Sequence, residues 1–332
     1  MDILNNDFIT YDCIRTSVEI TPEEQVAFAV EKGDMLFQRS SETLEDVGRA
    51  NVYMDDRPAV FGGFVIRGKK KAEYNPMFFR YLLASPYARK KVIPMGAGAQ
   101  HFNIGQDGLS KVKLHFPILQ EQQKIADLLR LINERISTQN KIIEDLKKLK
   151  SAISERLFKG IEGSFVLLSD ICDIVKGKQI NGENLSESGN YYVMNGGTEP
   201  SGYYSDYNVE ANSISISEGG NSCGYVQFNT LPFWSGGHCY SIQNIADNVN
   251  NLYLYHYLKS NEDVIMKLRI GSGLPNIQKK DLAMFKIIVP KIERQITIST
   301  FLSSLERKVE IEERIQNAML KEKLYLLQQM FI

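Results

Sequence analysis

Two long stretches of the chain are periodic in apolar residues and free of breakers. After Pro117 no Pro or Gly occurs until Gly160, and none follows Pro290. In the first stretch a row with alternating spacings of three and four holds Leu129, Ile132, Ile136, Gln139, Ile143, Leu146, Lys150, Ile153 and Leu157. In the second the row holds Leu302, Leu305, Val309, Glu312, Gln316, Met319, Lys323, Leu326 and Met330. Such rows predict a helix with a coiled-coil seam. Residues 120–158 would form a rod of roughly 60 Å at 1.5 Å per residue. Polar residues interrupt both seams at matching places, Gln139 with Glu312 and Lys150 with Lys323. Buried polar breaks of this kind fix register.

The two stretches are copies. Aligning Pro117 with Pro290 pairs, without gaps, Asn103-Ile104 with Asn276-Ile277, Leu109 with Leu282, Gln122 with Gln295 and Phe158 with Phe331. A two-residue shift upstream matches GAG at 96–98 with GSG at 271–273, and FFRYLL at 78–83 with YLYHYL at 253–258. Internal repetition is therefore the main feature of the chain. Each copy begins with a mixed region rich in Gly, Asn, Ser and aromatic residues. VEKGDMLFQRSS and NSISISEGGNSCGYVQF predict short strands broken by Gly turns. MFFRYLLASPYARKKV and LYLYHYLKSNEDVIMKL predict one helix each, with Pro86 breaking or displacing the first.

Composition narrows the class. The chain has 332 residues, 43% hydrophobic and 24% charged, which suits two globular domains. No apolar run approaches the ~18 residues that span a bilayer. The N-terminus MDILNNDFITYD carries acids where a signal peptide needs bases. Cys13, Cys172, Cys223 and Cys239 show no C-x-x-C spacing, so a metal site is not expected and a reducing cytoplasm is the expected setting. No phosphate-binding loop of the G-x-x-x-x-G-K-[ST] type occurs, and GAGAQH and GSGLPN lack the last Gly of a dinucleotide fingerprint. His238-Cys239 pairs a base with a nucleophile in sequence only, because neighbours in a strand point to opposite faces.

The order of these signals resembles a known family. A variable region leads to G-x-G, then Asn-Ile, then a Leu, then a strand ending in Pro. A Gln-rich turn follows, then I-A-x-L-L or its equivalent, and a long helix ending near Leu-Phe, all of it twice. HFPILQEQQKIADLL and KKLKSAISERLFKG are similar to the specificity subunit of type I restriction–modification systems. KIERQITISTFL departs from the pattern at Arg294 and Ser299.

The resemblance implies an α+β (α/β-type) fold. Two tandem target-recognition domains, 1–116 and 164–289, would each be followed by a conserved spacer helix, 117–163 and 290–332. The helices would pack as an antiparallel coiled coil about a pseudo-twofold axis. Each domain would read one half of a bipartite target in double-stranded DNA. The helices would set the spacer and dock two methyltransferase subunits, with restriction/translocase subunits joining the complex. The chain would be non-catalytic and hold no cofactor, S-adenosylmethionine belonging to the methyltransferase and ATP and Mg to the restriction subunit. FVLLSDICDIVKGKQING at 165–182 has no counterpart in the first copy, so domain one is expected to be shortened at its N-terminus. Two other readings stay open on the residues alone, a coiled-coil adaptor with two ligand-binding modules and a silent truncated specificity allele.

Residues 164–289 hold eight Lys and Arg against twelve Asp and Glu, so any DNA contact there must concentrate its cations. Candidates in domain one are Arg39, Ser40 and Ser41 after a strand, Arg49 after an acidic turn, and Arg67 with Lys69, Lys70 and Lys71. In domain two they are Lys176, Lys178 and Gln179 in a Gly-bounded turn, Asn195, Ser217, Glu218 and Asn221 on Gly turns, and Trp234, Ser235 and His238 on one loop. Arg reads guanine, Asn adenine and Glu cytosine N4, while Lys and Ser mostly hold phosphate.

Overall fold

The computed structural model describes residues 2–271 and 273–331. It divides into two compact units, one of residues 1–141 with 314–332, the other of residues 142–313.

In the second unit, Ser213–Ser217 lies between Val226–Asn229 and Cys239–Gln243, and the latter also pairs with Asp173–Lys176, all antiparallel. Alternation puts Ile174, Ile214, Ile216, Tyr240 and Ile242 on one face, where they form a core with Tyr253, Leu254 and Leu258 of the helix Asn251–Ser260. The opposite face carries Ser215, Asn229 and Ser241, buried but bonded; the Asn229 amide donates to the Ser215 hydroxyl at 2.9 Å. A second sheet runs Tyr203–Tyr204, Tyr191–Met194, Trp234–Ser235. Ser164–Leu167 pairs with Lys286–Val289, the strand that ends at Pro290.

The first unit repeats part of this plan. Met35–Gln38 lies between Ala50–Val52 and Val65–Gly68, again antiparallel, and the helix Pro76–Ala84 covers one face. Residues near the N-terminus are tied to this sheet. The Asn51 side chain donates to the carbonyls of Ile3 and Asn6, and Arg57 pairs with Asp12.

Each expected single helix is in fact two. Pro76–Ala84 stops at Ser85, whose hydroxyl caps Pro86–Val92, with Pro86 at the first turn where its missing N–H costs nothing. Asn251–Ser260 stops at Asn261, whose side chain bonds back to the Tyr257 carbonyl, and Glu262–Met266 follows. The glycine alignment also needs correcting. Ala97 bridges Asn103 as Ile270 bridges Asn276, so no shift is needed there. Gly98 then matches Gly271, and both have positive φ (144° and 97°). At Gly98 a Cβ would meet the His101 carbonyl oxygen at 2.0 Å.

The long helices run Leu119–Lys159 and Ile292–Met330. Every apolar seam position is buried or half-buried, Gln139 and Glu312 included, while the helices are otherwise largely exposed. The packing is antiparallel within each unit. In the second, Lys147 pairs with Glu313 at 2.6 Å and Lys150 with Glu306. There Ile153 and Leu157 pack with Ile298, Leu302 and Leu305. In the first, the Gln316 side-chain amide donates to Asn140 Oδ1, and Leu129 and Ile132 pack with Leu327, Met330 and Phe331.

The repeated Pro-x4-Gln junction has a physical reason. The Gln295 side chain, 0% exposed, donates to the Pro290 and Asn248 carbonyls at 2.8 and 2.9 Å and accepts from the Asn250 amide at 2.7 Å. Asn250 is the N-cap of Asn251–Ser260. Gln122 donates to the Pro117 carbonyl at 2.8 Å and accepts from the Asn75 amide at 3.0 Å, and Asn75 caps Pro76–Ala84. One buried amide thus joins the start of each long helix to the start of the helix beneath each sheet. It satisfies backbone groups that helix starts leave open.

Candidate nucleic-acid interface

In the second unit the candidate loops converge. Gly177 allows the closest approach, since a Cβ there would meet the Gly236 and Ser235 carbonyl oxygens at 2.2 and 2.4 Å. The Lys178 amide donates to the Ser235 carbonyl at 2.8 Å, and the Trp234 indole N–H donates to the Lys178 carbonyl at 2.8 Å. The His238 amide donates to Asn195 Oδ1 at 3.1 Å, and the Glu218 amide to the His238 carbonyl at 2.9 Å. Ser217 reaches the Gly197 carbonyl. Asn221 lies exposed at the far end of the turn that begins at Ser217.

The members differ in what they present. Lys178, Gln179, Asn221 and His238 are exposed, and Asn195 and Trp234 half-buried. Ser235 is 1% exposed, its hydroxyl on the Cys239 carbonyl. Glu218 is buried; its Oε1 takes Lys176 Nζ at 2.7 Å and the Tyr240 hydroxyl at 3.0 Å. That pairing offsets part of the charge Lys176 brings to the surface. Trp234 stands edge-on to Tyr204, with ring centroids 5.1 Å apart. Sequence reading missed Asn208, whose side chain bonds the Ser235 amide and carbonyl and so holds the loop. A lone Asn in a polar stretch gave no signal for it.

In the first unit the candidates fall into two groups. The Arg39 carbonyl accepts from Ile104 as that of Glu218 accepts from Ile277, so Arg39–Ser41 occupies the place of the Glu218 turn in the repeat. Arg39 is exposed, Ser40 bonds Asn103 at 2.5 Å, and Ser41 accepts from the Thr43 amide. Arg49 sits at the other end of the same loop, paired with Asp46 at 2.6 Å. Arg67 lies elsewhere, stacked over Phe61 and bonded to the Ala29 carbonyl. Lys69 pairs with Glu31 and Lys70 with Glu73, both at 3.1 Å, and Lys71 is exposed.

The cluster is not built for nucleophilic chemistry. Cys239 is buried, and burial pushes its thiol up to about 11, far from the thiolate form. Among the described residues no group of three or more His, Cys, Asp or Glu side chains is placed to hold a metal ion, and no helix is long and apolar enough to cross a membrane.

Two similar units, each a small sheet with its loops and with paired segments of the two long helices, make up the fold. The model of the type I restriction modification DNA specificity domain matches residues 1–148 and 162–321, and the chain belongs to that family. It is a non-catalytic DNA specificity subunit of a type I restriction–modification system. The family carries no cofactor, and S-adenosylmethionine and ATP are bound by its methyltransferase and restriction partners. The chain is 24% identical over 333 aligned positions to a putative type I restriction enzyme MjaX specificity subunit of Methanocaldococcus jannaschii, covering 89% of this chain and 77% of that one. A putative type I specificity subunit of Mycoplasma pneumoniae is 32% identical over 145 residues, 43% of this chain and 38% of that one. The fold matches the crystal structure of a type I restriction–modification S subunit from M. genitalium, with a TM-score of 0.65, 19% identity, and 92% and 84% of the two chains covered. A structure addressing complex assembly and conformational transition of the type I system matches with a TM-score of 0.60, 17% identity, and 91% and 82% covered.

Proposed function

We propose that each unit reads one half of a bipartite DNA target, with the loop cluster of the second unit as its base-reading surface. The observation that carries this is the convergence of the turns at 176–179, 195–197, 217–221 and 234–238 on one another. Lys178 is suited to phosphate, and Gln179, Asn195, Asn221 and His238 to base edges. Arg39, Ser40, Ser41 and Arg49 form the equivalent surface of the first unit.

The long helices set the spacer. They also dock two methyltransferase subunits through apolar residues that lie off the seam. Leu131 and Leu149 are 54% and 51% exposed on the first helix, and Leu324 is 53% exposed on the second. Exposed large apolar side chains repeated along a helix mark a partner surface. Restriction subunits join through that assembly. The setting is cytoplasmic, in keeping with four free cysteines.

The test is methylation mapping with the chain co-expressed with its methyltransferase. Gln179→Ala with His238→Ala should relax base preference in one half-site and leave the other unchanged. Relaxation in both, or in neither, would reject the assignment.

A further inference from the structure

The two units bury their sheets to different depths. In the second, Ile216, Leu282 and Ile287 are each 0% exposed, and the segment Ser164–Lys176 covers them. It adds Asp173–Lys176 beside Cys239–Gln243, adds Ser164–Leu167 beside Lys286–Val289, and inserts Leu168, Ile171, Cys172 and Ile174 into the core.

In the first unit the equivalent residues are Phe37, Leu109 and Leu114, as the repeat and the sheet register place them. All three are only half-buried, and they line an open groove of about 370 Å³. Val65–Gly68, which corresponds to Cys239–Gln243, is an edge strand of its sheet. Residues 113–116, which correspond to Lys286–Val289, form no strand, and Phe116 is exposed. The groove thus has a sheet edge with no further strand beside it among the described residues, an apolar floor, and a segment with strand-like alternation that joins no ladder. Side chains hold that segment, the His115 amide donating to the Tyr87 hydroxyl at 2.9 Å and Lys91 to the Lys113 carbonyl at 3.1 Å.

We infer that this groove receives a strand–helical turn–strand segment with the pattern of Ser164–Lys176, supplied from outside residues 1–332. Backbone pairing along Val65–Gly68 and 113–116 would hold it, as in β-strand addition, and its Leu/Ile positions would fill the floor. Charge agrees with this. In the second unit the side chain of Asn244 donates to Asp173 at 2.7 Å. By the sheet register Lys70 stands at the Asn244 position, with Lys69 and Lys71 beside it on the groove rim. Lys70 is paired with Glu73 on that rim, and an acid in the incoming segment at the place of Asp173 would take Glu73's place on it. Donation of Ser164–Lys176 by a second copy is disfavoured, because it would open the donor's own core and gain no net apolar burial.

The test uses the full chain and a fluorescein-labelled peptide of residues 164–180. Anisotropy should show saturable binding. Hydrogen exchange should slow at 65–68 and 113–116 and stay unchanged at 239–243 and 286–289. A peptide with Leu168→Ser, Ile171→Ser and Ile174→Ser should bind at least tenfold more weakly. So should the wild-type peptide to chain carrying Phe116→Asp, with an unchanged thermal transition as the check that the fold is kept. Equal binding of both peptides, or protection confined to the second unit, would overturn the inference. So would concentration-dependent dimerisation of the chain with protection at the same edge and no peptide binding. Base preference need not change for the peptide to bind, so the result is separable from the DNA-reading assignment.

Discussion

Replacing Gln295 by Leu should loosen the second unit more than any other single change at the junctions. The side chain has no exposure and makes three hydrogen bonds, all to backbone. Leucine keeps most of the volume but leaves the Asn250 amide and the Asn248 and Pro290 carbonyls without that partner. At ~1–3 kcal/mol for each of three buried groups left unpaired, the loss is about 3–9 kcal/mol. Gln122 makes two such bonds, so Gln122→Leu should cost about 2–6 kcal/mol in the first unit. Urea unfolding gives the totals, and hydrogen exchange gives the location. Amides around Asn250 and along Asn251–Ser260 should exchange faster in the first variant, and those around Asn75 in the second. Gln295→Glu should also destabilise at neutral pH, because a carboxylate would face two carbonyl oxygens. A loss below 1 kcal/mol for Gln295→Leu, or faster exchange spread evenly over both units, would refute the reasoning.

The remaining predictions concern acid, salt and docking. His256 is buried against Ser303, 2.9 Å from its hydroxyl, and burial lowers its pKa to about 4 from 6.5, with Glu306 opposing and Lys150 assisting. The unfolded state therefore binds the proton first as pH falls below 6.5. This residue should remove about 2 kcal/mol of stability between pH 7 and pH 5. His256→Gln should flatten that part of the stability curve, and an unchanged slope would exclude His256 as its source. Lys178→Ala should weaken DNA binding by the assembled complex similarly on all sequences and lower the log–log salt slope by about one; a change of preferred bases would instead make it a base reader. Leu131→Glu with Leu149→Glu should abolish methyltransferase association in a pull-down while leaving the thermal transition in place, and unimpaired association would move the docking surface elsewhere.

The long helices were legible because a three–four apolar row survives any tertiary context, and its polar breaks at Gln139 and Glu312 are buried as a seam requires. The strands at 213–217 and 226–229 were legible from alternation and Gly turns. The two-helix breaks were not, because Ser85 and Asn261 act through side-chain bonds that periodicity does not register. For the candidate site, turn chemistry located the loops but not their depth. Ser217, Glu218 and Ser235 look like surface polar residues in sequence, yet they are buried under neighbouring loops. Their partners lie up to 42 residues away along the chain, as Lys176 does from Glu218. The junction glutamines appeared as a repeated letter. Their purpose emerged only with Asn75 and Asn250, which the repeat offset places two residues out of step.

The most direct measurement is an exchange of recognition units. Residues 165–289 would be replaced by the corresponding domain of a related specificity subunit, and the hybrid co-expressed with the methyltransferase. Methylated bases would then be mapped across a plasmid library. One half of the target should change to that of the donor, with the other half and the spacer between them retained. A change in both halves, or a target identical to that of the parent chain, would contradict the account.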